Sequence, residues 1–453
     1  MKFNENIIEK INKILMVLIL RFAYDLIYIT IITRFFSTGN FFLDYNFKKY
    51  LLSIVLILLY AIPIYDLVNL DNPSNVIITL INIFYFLPCT TMFGLAGFSY
   101  NYFIFVVIYW GLLLLFQYKI NFKFEKEKII KIKSYIFIIL ITILLVAISI
   151  FISGYYNGFK LNFSLKNVYD LRANAKTYNI PGILQYLRMW AVKIIPIVLV
   201  ISLLKNKKII PVLLIIAQFL LFSFDGSKTS IFTLVFAIMI WMFLNKNSYK
   251  IVYPVFWAGT LILNYVGIII DKAPLSVSYF HRRMMFLPNL LSNYYYQYFS
   301  VNEKLYLRQS ILRFFKFSNP YKLNANFLIS DVFFNKVEMS SNNGLIGDAF
   351  ANFGWISLLI YPLLIILILK VLDFSAQNVN VKITFAVCVE MFIMLTNQSL
   401  FTALLTGGIL AIIILFLVIP KDEELIEKND VYDKLVKKIK DFYNKKVKDN
   451  NAN

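Results

Sequence analysis

Histidine and cysteine are almost absent from this sequence. The 453 residues include one histidine, His281, and two cysteines, Cys89 and Cys388. A single imidazole cannot build a multi-histidine metal centre. Two isolated thiols, each inside an apolar segment, make neither a disulfide framework nor a metal site. Charge is also scarce, at 15% of residues against about a quarter in soluble domains. No P-loop, G-x-G-x-x-G, G-x-S-x-G, D-x-D pair or H-E-x-x-H is present, so nucleotide-driven and metal-dependent mechanisms have no sequence support and no cofactor is expected. Internal repeats are not evident, which removes the usual sign of an inverted-repeat transporter. The first apolar segment is long and lacks an A-x-A-like cleavage site, so it is expected to be a retained helix rather than a signal peptide.

What remains is apolar. Hydrophobic residues make up 60% of the chain and mean hydropathy is +0.70. Runs of roughly 18 or more apolar residues recur along its length, which defines an all-α, polytopic integral membrane protein. Twelve transmembrane spans are expected, at about 11–33, 50–70, 75–97, 99–118, 133–153, 181–204, 209–224, 230–245, 251–270, 349–373, 382–398 and 400–419. They form one membrane domain over residues 1–420, followed by a charged tail at 421–453. The net charge is +20, yet no basic soluble domain is left over to bind nucleic acid. The lysines of 119–133, 205–208 and 245–250 lie in short loops on the same side as both termini. The positive-inside rule makes that side cytoplasmic and the bilayer the partner of the basic charge.

Two longer external segments follow. The first, about 154–179, carries "YDLR", with Asp170 and Arg172. The second, about 271–346 between spans 9 and 10, is rich in Tyr, Phe and Leu and is expected to form amphipathic helices on the membrane or over the bundle. Nine cations against four anions give it a net +5. Its arginines, Arg282, Arg283, Arg308 and Arg313, suit bidentate recognition of phosphate. His281 in "HRRMM" has cationic neighbours that lower its pKa, leaving a neutral imidazole as a candidate base. The turn "SFDGSKTS" (223–230) sets Lys228 beside a helix N-terminus, where anions are favoured. Arg21 and Asp25 sit four residues apart, on one helix face. Arg188, Lys193 and Glu390 fall at membrane depth, with Glu390 a candidate partner of Arg188. In "SSNNGLIGDAFANFGWISLL" (340–359), Gly344, Asp348 and Asn352 recur every four residues, so a helix aligns them. That face either lines a cavity, with Asp348 a candidate base, or caps and packs a helix. Gly347 and Ala351 form a small-xxx-small pair that permits close packing.

The "GSKT" turn, "YDLR" before a span and "GLIGDAFANFGWISLL" opening a late one resemble the bacterial O-antigen and capsular polysaccharide polymerases, the Wzy-type repeat-unit polymerases. The resemblance covers roughly residues 150–400. It implies a GT-C-like, metal-independent glycosyltransferase in the bacterial cytoplasmic (inner) membrane. Such an enzyme transfers a chain from undecaprenyl diphosphate en bloc to a new lipid-linked repeat unit on the external face. A chain-length regulator is an implied partner. It also implies diphosphate contacts for Arg172, with Arg282 and Arg283, while Lys228 departs from the commoner Arg of the family's turn. Arg188 and Arg308 join these as diphosphate-binding candidates. Asp348, His281 and Asp170 are candidates for the base that deprotonates the attacking hydroxyl. An O-antigen ligase shares these features with a different acceptor. A lipid-linked oligosaccharide flippase or secondary transporter is the non-enzyme reading.

Overall fold

The computed structural model describes residues 2–68, 72–120, 135–163, 178–226, 228–244, 251–377 and 379–419. Its helices, in chain order, are α1 (Lys2–Ile27), α2 (Phe47–Asp66), α3 (Pro73–Leu95), α4 (Tyr100–Lys119), α5 (Tyr135–Asn157), α6 (Gly182–Leu204), α7 (Ile209–Asp225) and α8 (Lys228–Phe243). There follow α9 (Val252–Ile269), α10 (275–301), α11 (Ala325–Phe334), α12 (Leu345–Phe353), α13 (Ser357–Ser375), α14 (Val381–Asn397), α15 (Leu400–Leu404) and α16 (Ile409–Val418). Among the described residues no sheet forms, only an isolated bridge between Asp44 and Ala96.

Among the described residues nine helices are long and apolar enough to cross a membrane, and each falls on one of the twelve expected spans. The other three expected spans are also helical, but α7, α8 and α14 hold only 17, 16 and 17 residues. The tail at 421–453 lies outside the described residues, as do most of the lysines in the 119–133 and 245–250 loops. The chain divides into two compact units.

The first unit holds α1–α4, α9–α13, the end of α14, and α15. Helix α3 is its centre, buried along its whole length. Local chemistry starts these helices: Asn46 accepts from the Lys49 N–H at the start of α2, and Ser99 from the Tyr102 N–H at the start of α4. The expected Arg21–Asp25 pair is present and fully buried. Arg21 also donates to Thr90 Oγ1 (2.8 Å) and the Thr90 carbonyl (2.9 Å), and Tyr50 donates to Asp25 (2.8 Å), so the pair pins α1 to α2 and α3. Arg34, beyond α1, pairs with Asp271 after α9 at 2.7 Å, so these two ends share a face.

Three helices of this unit widen into π turns, α1 just past its end at Tyr28–Ile32 and two others ahead of a proline. Helix α3 does so at Asn82–Phe86, before Pro88, and α10 at Ser278–Phe286, before Pro288. Proline removes one N–H and its ring collides with the carbonyl four residues back, so a wider turn in advance relieves the clash. The irregular backbone then needs partners. Asn289 supplies them, donating its amide to the Tyr85 carbonyl of one π turn (3.0 Å) and to the Met285 carbonyl of the other (2.8 Å). Helix α10 therefore packs into the bundle against α3 and α12, although the sequence places it in an external loop.

The second unit holds α5–α8, the start of α14, and most of α16. Pro196 interrupts α6 and frees the Val192 carbonyl. Buried Gln218 of α7 reaches that carbonyl (3.3 Å) and the Ser230 carbonyl of α8 (2.9 Å). One amide thus ties three helices.

Replacing Asn289 by Leu keeps volume and removes both donors. We expect a loss of about 1–3 kcal/mol for each carbonyl left orphaned, read as a lower midpoint of thermal unfolding in detergent. An unchanged midpoint would mean that the bridge contributes nothing.

Candidate functional site

The polar stretch 340–359 folds as α12, a turn at Gly354–Ile356, and the start of α13. Asp348 and Asn352 do fall on one face, and that face is filled. Asp348 is buried, and its Oδ2 accepts from the Leu400 N–H (2.8 Å) at the start of α15. Its Oδ1 accepts from Asn352 Nδ2 (3.0 Å), and the Tyr361 hydroxyl also bonds the carboxylate. Asn352 Oδ1 in turn accepts from the Leu307 N–H (2.9 Å). Leu307 and Tyr306 both hold positive φ, 61° and 48°, a strained conformation for such side chains, and Asn352 holds both.

The same device appears elsewhere in this unit. Asp373 of α13 accepts from the Ser74 N–H (2.8 Å) and hydroxyl (2.6 Å), at the start of α3. A carboxylate lent by one helix to the N-terminus of another is stabilised by the unpaired N–H groups there. The Asp348 face therefore caps and packs instead of lining an open wall. Gly344 fits the same account, since a Cβ there would run into the Leu395 and Gln398 carbonyls.

His281 is buried on the π turn of α10. Its Nε2 lies 3.0 Å from Thr260 Oγ1, its Nδ1 has no partner, and the Tyr24 ring stands edge-on to it. Its pKa falls to about 4, the direction expected from the sequence, but burial and not the adjacent arginines is the cause. Arg282 stacks over Phe36 at 4.8 Å, while Arg283 is exposed. Arg308 is engaged locally, by Glu303 and by the Lys304 and Leu305 carbonyls (3.0 and 3.1 Å). These candidates keep separate sets of partners and do not converge on one point.

In the second unit, α6 carries two cations of different standing. Lys193 pairs with Glu390 at 2.7 Å, and Glu390 is only 1% exposed. Glu390 is thus the partner of Lys193, not of Arg188 as the sequence suggested. Arg188, one and a half turns earlier, is 6% exposed, and its Nε and Nη1 have no hydrogen-bond partner among the described residues. Ser149 of α5 donates to the Arg188 carbonyl (3.3 Å), which holds the backbone but leaves the charge unmatched. The Arg188 charge reaches Tyr178: burial raises the Tyr178 pKa and Arg188 opposes that shift. Lys228 opens α8, and its side chain lies outside the described residues, as do Asp170 and Arg172.

Sequence reasoning missed Asn289, Gln218 and Asp373. A usable signal was present: each is a polar residue within an apolar run, Asn289 directly after Pro288. No protein family, curated protein or solved structure matches the chain.

Two outcomes follow for this geometry. Asp348→Asn keeps an acceptor for the Leu400 N–H, so the folded yield should stay near wild type, whereas Asp348→Leu removes the cap and costs about 1–3 kcal/mol. A variant Asn protein as unstable as the Leu protein would refute the capping role. For His281, the unfolded state takes up a proton below pH 6.5 that the native state refuses until about pH 4. Wild type should therefore lose about 3 kcal/mol relative to His281→Gln as pH falls across that window, measured by unfolding midpoints of both proteins.

Proposed function

We propose that the chain is a polysaccharide polymerase of the bacterial cytoplasmic membrane. It joins undecaprenyl-diphosphate-linked oligosaccharide repeat units by en bloc glycosyl transfer on the external face. In this reading α7, α8 and α14 complete twelve crossings of a GT-C-like bundle with both termini cytoplasmic.

The observation that carries the proposal is Arg188. A buried guanidinium costs several kcal/mol in desolvation unless paired. Among the described residues Lys193 has its carboxylate and Arg188 has none, with two donors left open. An anion completes that site, and the planar fork matches a phosphate. Transfer from a lipid diphosphate breaks the bond between the sugar's anomeric carbon and the diphosphate oxygen. Negative charge then builds on the leaving diphosphate, where a preorganised cation is most effective. The acceptor hydroxyl gives its proton to a base, for which Asp170, His281 and Asp348 are the candidates. Of these, Asp348 has both oxygens engaged by protein donors.

In a deletion strain complemented with Arg188→Ala, we expect long chains to fall by about 10²–10³-fold while lipid-linked single repeat units accumulate and protein level holds. Arg188→Lys should recover part of the activity. Normal polymer from the Ala variant would refute the diphosphate clamp. Long chains made but left unattached to lipid A core would identify a ligase, and repeat units trapped on the cytoplasmic side a flippase.

A further inference from the structure

The segment 303–324 links α10 to α11 and is closed on itself. Gln309 Nε2 donates to Asn319 Oδ1 (2.9 Å), its Oε1 accepts from the Ala325 N–H (2.8 Å), and the Tyr321 hydroxyl donates to the Glu303 carbonyl (2.6 Å). At its tip is a short 3₁₀ turn, Ile311–Phe315, ended by Lys316 at φ 60°. Three cations near the tip, Arg313, Lys316 and Lys322, are exposed and make no ion pair among the described residues. The one acid of the segment, Glu303, is taken by Arg308. Between these cations stand Phe315, 69% exposed, and Phe317, 57% exposed.

The segment is tied to the end of a membrane crossing. Helix α13 has 19 residues, about 28 Å of helix, enough for the hydrocarbon core. Trp355, 45% exposed, sits just before it, where interfacial aromatics gather. The N–H groups of Leu305 and Tyr306 bond the Ala351 and Asn352 carbonyls (2.9 and 3.2 Å), and that of Leu307 bonds Asn352 Oδ1 (2.9 Å). The root of the segment is thereby fixed a few residues from the boundary that Trp355 marks.

We propose that this tip is an interfacial anchor, with Phe315 and Phe317 set among the headgroups and Arg313, Lys316 and Lys322 binding the phosphates of anionic phospholipid. Phe has no polar atom to reward exposure to water, and apolar rings flanked by cations are the pattern of chains that lie in a charged interface. The cations are exposed instead of gathered in a pocket, so they suit a surface of phosphates and not one small anion.

The test uses the full chain in nanodiscs of phosphatidylcholine alone or with phosphatidylglycerol. A fluorescent label is placed through Phe317→Cys, the native cysteines being buried. The label should resist iodide quenching when phosphatidylglycerol is present. Arg313→Glu, Lys316→Glu and Lys322→Glu, made singly and together, should lower the phosphatidylglycerol retained in native mass spectrometry by about five-fold for each cation lost. Equal, full quenching in both discs overturns the proposal. So does retention that ignores charge reversal. Displacement of the lipid by millimolar inorganic phosphate would mean a free-phosphate site and overturn it as well.

Discussion

Backbone carbonyls with no water to reach set the terms of this structure. In hydrocarbon each N–H and C=O must be satisfied by protein, which a regular helix does unaided and a proline-broken helix does not. The chain uses proline inside its helices and answers the irregular backbone near Pro88, Pro196 and Pro288 with side-chain amides. Asn289 spans the π turns of α3 and α10, and Gln218 answers the carbonyl freed by Pro196 in α6. Each amide also reaches a second element, so the repair is a tertiary tie. Tyr85 and Ser292, and Asn343 bonding both Ser292 and the Pro288 carbonyl, extend the first tie into the polar start of α12.

Carboxylates play the matching role for N–H groups. The break between α14 and α15 leaves donors that Asp348 takes, and the start of α3 leaves donors that Asp373 takes. This explains why so polar a stretch leads into α13 without lining an open space. The helix carrying Asp348 also carries Asn352, whose carbonyl and side chain hold the strained Tyr306–Leu307 backbone. A hydrogen-bonded line therefore runs from the basic segment, through Asn352 and Asp348, to the break before α15.

Much of this was legible. Apolar runs located all nine of the long apolar helices among the described residues, because hydrophobic length reports directly on the bilayer. The four-residue spacing foretold both the Arg21–Asp25 pair and the shared face of Asp348 and Asn352, because both are local to one helix. What the sequence hid was tertiary. Helix α10 averages too polar to read as buried, since Asn289, Ser292 and Asn293 look like surface residues until their partners on α3 and α12 are known. The partner of Glu390 was equally hidden: two cations on α6 lie within reach by sequence depth, and only packing selects Lys193. Likewise the low pKa of His281 was foreseen for the wrong reason, because charge is visible in a sequence and burial is not.

The cations of the described residues separate by how their charge is met. Arg21 and Lys193 have buried carboxylates, and Arg308 has Glu303 and two carbonyls. A protein that burdens its interior with charge compensates it wherever the charge serves only to hold helices together, since an uncompensated buried ion destabilises by several kcal/mol. Arg188 is the exception, buried with two open donors although Ser149 shows that hydrogen-bonding groups are at hand. Under the proposed function, an anionic substrate supplies the partner that the described residues do not. Binding energy of that kind is available to a substrate, where the same energy at Lys193 is already consumed by folding.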